Sequence, residues 1–453
     1  QMFASETWRV GQCGLGLCLI LFAFLAMSSI EETTLRDMSA RDPSISPKAG
    51  YYSQTIIYGM FVISNLIAPP IVALIGCRWS MVVGSVGYTI FMSQFLYLSN
   101  FTLYAGSALE GFAAGLMWTA SGYYMALNSN ADTVGRNSSI LWMLSMSANV
   151  LGGIYLLIMF SVNDADEITE SLTQILYGTF CGVALVGNIV FALLRNTPKE
   201  VEMREQKRAH YFQELVGTFR LLFTWKMALL AVPYAYTGLH TSFWSAVYPT
   251  SLSFTSNFPM SSKMVLGMNN LAVGLGGAFG CLLCIFLDRF ITKIGRYMIV
   301  SIGGLLNCIA LLLIGLNLPI DAPFEQTSSP SVIPPSPYVA VLSGFLLGLV
   351  DSAFNTQLYA ITSSIYQENC AQAMALFKFY HALLSTVSMF YGGLLILPGQ
   401  LAILAALTVA SALCFAIVEF PIRRRIRLEQ LRGIQSAESI DDQQENVLKN
   451  HDE

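Results

Sequence analysis

The chain has 453 residues, 54% of them hydrophobic and 11% charged, with a mean hydropathy of +0.57. That balance excludes a string of soluble domains and places the chain in the membrane class, where length is counted in spans of about 20 apolar residues. The net charge of −4 offers no basic surface for nucleic acid, and in a membrane protein the position of charges matters more than their sum.

In chain order, apolar runs at 10–30, 50–75, 77–98, 100–127, 138–161 and 171–194 predict six helices and a first bundle over 1–194. The first run has the length of a signal peptide, but eleven further runs argue that it is retained as a helix. The stretch 195–225 mixes bases with four glutamates and reads as a linker. Runs at 226–251, 263–287, 294–317, 338–364, 371–396 and 399–420 predict a second bundle over 226–420. The run 226–251 is the most broken, with Pro233 and Pro249 inside it. After the last run come Arg423, Arg424, Arg425 and Arg427, suited to anionic headgroups, and a polar tail over 421–453 expected to be disordered. The expected fold class is an all-α membrane protein of about twelve transmembrane helices in two six-helix bundles.

Lysine and arginine number 19 in the segments on the side of the linker and both termini, against four in the opposite loops. The positive-inside rule therefore predicts that both termini and the linker are cytoplasmic. The loops at 162–170 and 318–337 contain no base and belong outside. An equal split around a linker suggests two parallel repeats with a site at their interface. Between its second and third spans, the second half carries Asp288-Arg289 and then Gly295-Arg296, whereas the matching first-half loop keeps only Gly76-Cys77-Arg78. This resembles the loop motif of major facilitator proteins, present once and degenerate once.

No histidine opens an HExxH and no lysine closes a GxxxxGK[ST] loop, so neither an enzyme nor a cofactor nor a metal centre is expected. The nine cysteines fall almost wholly in apolar runs, and the Cys281/Cys284 spacing inside a glycine-rich helix reads as packing. The informative residues are ionisable groups within spans, because such groups are costly in lipid and face a cavity or a partner. These are Glu110 in span four, His240 in span seven, Asp351 in span ten, and Lys378 with His381 in span eleven.

Helical spacing puts Asp351, Asn355 and Thr362 on one face and Lys378, His381, Ser385 and Ser388 on another, which predicts a polar ladder between spans ten and eleven and an Asp351–Lys378 pair. Tyr236, His240 and Trp244 repeat every four residues as an aromatic column with a polar member. Each group has a structural alternative: a buried ion pair fastens helices, and a lone carboxyl or imidazole bonds to a neighbouring helix. Gly111/Gly115, Gly276/Gly280 and Gly344/Gly348 have GxxxG spacing and predict close helix packing.

Several segments carry a family resemblance: Trp118-Thr119-Ala120 through Gly122, Asn128-Ser129, Gly135-Arg136-Asn137-Ser138 with Trp142, Asp351 to Gln357 reading DSAFNTQ, Ala375-Leu376-Phe377-Lys378-Phe379, and the run after Gly50-Tyr51-Tyr52. They resemble the Unc-93-like family of the major facilitator superfamily over nearly the whole chain. Ser121 departs from the glutamine the family often has there. The resemblance implies a major facilitator fold with spans one, four, seven and ten around a central cavity. It implies either a carrier of an unassigned solute or an accessory partner of a channel or receptor.

Two functions are therefore expected of a chain whose first partner is the lipid bilayer. In the first it is a secondary carrier of a small solute, with Glu110 and Asp351 binding a cation, proton or polar group, Lys378 holding Asp351 charged or binding an anion, and the span-seven aromatics walling the site. In the second it does not transport, and regulates or escorts another membrane protein.

Overall fold

The structure is a computed structural model that describes residues 2–41, 45–46, 49–163, 170–197, 200–202, 211–260, 262–323, 327–392 and 395–449. Part of the linker stretch, 198–199 and 203–210, and most of the 162–170 loop lie outside the described residues. Among the described residues, nine helices are long and apolar enough to cross a membrane on their own. The run Trp225–Phe254 qualifies together with the linker helix, which ends at Leu222 and meets it at a bend of 79°. Cys77–Ser93, continued by a 3-10 turn at Gln94–Leu96, and the 28-residue helix Asn100–Leu127 supply the third and fourth spans of a twelve-span major facilitator fold.

Two helices outrun their apolar segments. The first runs from Met2 to Arg41, past the apolar end at Ile30, and so brings Glu31 into the bundle at 2% exposure. The last runs from Leu397 to Lys449 through Pro421, so the segment expected to be a disordered tail is helical up to residue 449. Its Glu, Gln, Arg and Leu content favours helix, which polarity alone does not reveal.

Span seven is broken as its prolines predict. Helix Trp225–Ser242 passes into a π-helical turn, Phe243–Val247, and then into Tyr248–Phe254. Pro249 has no N–H to return to the carbonyl four residues earlier, and a widened turn accommodates the lost bond.

The GxxxG pairs act as helix contacts. A Cβ on Gly276 would strike the Phe345 carbonyl, and one on Gly348 would strike the Val273 carbonyl, so the two motifs interlock spans eight and ten backbone to backbone. Spans three and nine start alike, each at a glycine with positive φ: Gly76 at 83° and Gly295 at 127°. Each start is capped by a distant glutamate, one from the linker and one from the last span. The N–H of Cys77 donates to Glu200 at 2.7 Å, and the N–H groups of Arg296 and Tyr297 donate to the two oxygens of Glu419 at 2.8 and 2.5 Å. Carboxylates are favoured there because the first amides of a helix are unpaired and its N-terminus is positive.

Candidate functional site

Asp351 lies at the middle of the helix Pro337–Ile365 and is 1% exposed. A carboxylate at that depth needs donors, and it finds them on both halves of the molecule. The indole N–H of Trp142, in span five, donates to Oδ2 at 2.9 Å. The indole of Trp244 approaches Oδ1 at 3.4 Å, and Nδ1 of His240 stands 3.8 Å from the same oxygen. Trp244 sits in the π-helical turn, so the break in span seven is what presents its indole to the carboxylate. Tyr236 continues the column one turn away, its ring tilted against Phe354 at 4.4 Å between centroids and 5.4 Å from the His240 ring. Asn355 does not join the carboxylate; its amide donates to the Asp351 backbone carbonyl at 3.0 Å.

Lys378 is buried, at 3% exposure, but is not within salt-bridge distance of Asp351. Its ammonium faces aromatic rings instead: Trp118 at 4.4 Å, Phe377 at 4.8 Å, Trp142 at 5.2 Å and Tyr359 at 5.3 Å from the ring centroids. Ring faces carry the negative part of the aromatic quadrupole, so four of them partly replace the water lost on burial. The expected Asp351–Lys378 pair is thus corrected: Trp142 stands between them, its N–H on the acid and its ring toward the base.

The polar stripe of span eleven also has a different partner from the one expected. Nδ1 of His381 meets the Thr237 hydroxyl at 3.0 Å, and the Ser385 hydroxyl donates to the Gly238 carbonyl at 3.0 Å. The stripe therefore fastens span eleven to span seven, not to span ten. Gly238 is the reason, since any Cβ there would strike the His381 carbonyl.

Glu110 stands apart from this cluster. It is fully buried, neither of its oxygens has a hydrogen bond of ordinary geometry, and the Tyr88 phenol lies beside it. Its acidic neighbour is Glu31, whose oxygens accept from Ser53 at 2.8 Å and Gln54 at 2.6 Å, while Ser53 meets the Ser107 hydroxyl at 3.0 Å. Sequence reading missed Glu31 because the first apolar run stops at Ile30.

On the face that carries the linker, the loop motif touches the other half. A Cβ on Gly135 would strike the Asp288 carboxylate and crowd the Arg296 guanidinium, which itself donates to Gln357 at 3.2 Å. Nearby, Ser138 donates to the Thr356 carbonyl at 3.0 Å. Burial pushes the Asp288 carboxyl above the usual carboxylate range, against the opposing pull of Arg296 and Arg136. Arg289 is exposed and takes no part.

These contacts use the segments that carry the family resemblance, and a family model decides the matter: the one described as "Ion channel regulatory protein UNC-93" matches residues 41–416. The chain belongs to the UNC-93 family. It is 32% identical over 436 residues to UNC93-like protein MFSD11 of Xenopus tropicalis, covering 91% of this chain and 96% of that one. Among solved structures it resembles the proton:xylose symporter XylE, with a TM-score of 0.65, 14% identity and coverage of 91% and 94%. It also resembles the human organic anion transporter MFSD10, with a TM-score of 0.60, 15% identity and coverage of 91% and 99%. At such identities the likeness of this UNC-93 chain to the two transporters is one of fold.

Proposed function

We propose that this UNC-93 family member is a secondary carrier of a small solute, working by alternating access of its two halves, and not an enzyme. One observation carries the reading: a single buried carboxylate, Asp351, is held at mid-depth by donors from both halves, Trp142 on one side and Trp244 on the other, with the His240 ring 3.8 Å away. A group that both halves hold at once feels any change in their relative position, as a carrier site must. The supporting likeness is the transporter fold. Glu110 and Glu31 form a second acidic locus, inside the first half, for a proton or another small cation. In this reading the linker, with both termini, lies on the cytoplasmic side.

The reading is tested by loading liposomes that hold the purified protein with a metabolite extract and measuring which solutes escape, against Asp351→Asn and empty liposomes. Solutes released only through the wild type support a carrier and tie it to Asp351. No release from folded protein overturns it. The second reading, a non-transporting partner of an ion channel, is favoured by the description of the matching family model and would then be tested by co-purification with a channel.

A further inference from the structure

The rings around Lys378 form a continuous wall that crosses from one half to the other. Trp118 and Trp142 have centroids 5.9 Å apart, Trp142 and Tyr359 5.8 Å, and Tyr359 and Phe377 5.3 Å. The first two rings belong to spans four and five, the last two to spans ten and eleven. An ammonium sits at the centre, and among the described residues it makes neither a hydrogen bond nor an ion pair. A lysine whose task is to fasten helices is expected to find a carboxylate, and Asp351 is available one ring away.

We propose that this box is a binding site for a small organic ammonium ion, and that Lys378 occupies it as a tethered stand-in when no such ion is bound. The inference rests on the carrier reading for its consequence, which is transport of that ion. Three features set the ligand class. Four ring faces attract a cation and repel an anion. The fixed charge behind the Trp142 wall is the Asp351 carboxylate, the natural resting place for the Lys378 ammonium once an incoming ion has taken its position. Trp118 is only half-buried, so the wall is not sealed on every side. A solute with an alkyl- or methylammonium head fits this chemistry, because it is weakly hydrated and gains most from aromatic faces.

The test uses the full-length purified protein in detergent, with choline and its neutral carbon isostere, dimethylbutanol, as probes and tryptophan fluorescence as the readout. In Lys378→Ala the box is vacated, and choline should bind at least about ten-fold more tightly than to the wild type and about ten-fold more tightly than the isostere. Adding Trp118→Leu should abolish the preference for choline. If folded Lys378→Ala binds both probes alike, or neither, the box is packing and the inference is overturned. A second measurement needs no substitution: choline at high concentration, but not the isostere, should shift the wild-type emission by competing with Lys378 through mass action. An unshifted emission also overturns it. Because these are binding measurements, they separate from the liposome assay: choline binding without solute release sinks the carrier reading alone, whereas release without choline binding sinks the ammonium site alone.

Discussion

The indole of Trp142 serves two opposite charges at once: its N–H donates to the Asp351 carboxylate at 2.9 Å while its ring lies 5.2 Å from the Lys378 ammonium. The acid and base of the two polar stripes are joined through an aromatic ring rather than by contact. Trp142→Phe keeps the ring and removes the donor, leaving a buried carboxylate short of a hydrogen bond at a cost of about 1–3 kcal/mol. Melting in detergent should fall accordingly, and the effect should shrink in an Asp351→Asn background, with a coupling of about 1 kcal/mol in a double-mutant cycle. Trp244→Phe, which loses a 3.4 Å contact, should cost less. Additive effects of Trp142→Phe and Asp351→Asn would show that the contact carries no energy.

The interlocked glycines of spans eight and ten make a steric prediction. Gly348→Ala and Gly276→Ala each place a methyl group against backbone rather than a flexible side chain. Both should lower folded yield severely, since overpacking costs about 1–3 kcal/mol even where neighbours can move. Gly178→Ala is the control, because nothing lies within reach of its added methyl. Equal yields of all three would refute the lock.

The glutamate caps should behave as a matched pair. Glu419→Gln weakens two bonds to the start of span nine and Glu200→Gln weakens one to span three. Each should destabilise by about 0.5–2 kcal/mol, with Glu419 the larger. Thermal melts of the two variants decide the order.

The two acids of the first half should respond differently to loss of charge. Glu31→Gln weakens two charge-assisted hydrogen bonds and should cost about 1.5–3 kcal/mol. Glu110→Gln removes an acid that makes no such bonds and should leave stability unchanged or raise it. A Glu110→Gln variant that melts well below Glu31→Gln would contradict this assignment.

Composition and hydropathy were enough to read the membrane class, the number of spans, the break in span seven and the intramembrane groups Glu110, His240, Asp351, Lys378 and His381, because each depends on a local run of residues measured against a bilayer of fixed thickness. The glycine motifs were legible for the same reason. Partnership was not. The polar stripe of span eleven pointed toward span ten by sequence order, yet meets span seven because Gly238 lets two backbones touch. Asp351 and Lys378 looked like a pair, yet Trp142 stands between them, and Glu31 was invisible because its helix outlasts its apolar run. Which side chains meet depends on how each helix is rotated and which neighbour it packs against, and that is set by shape complementarity over the whole bundle, which no local pattern records.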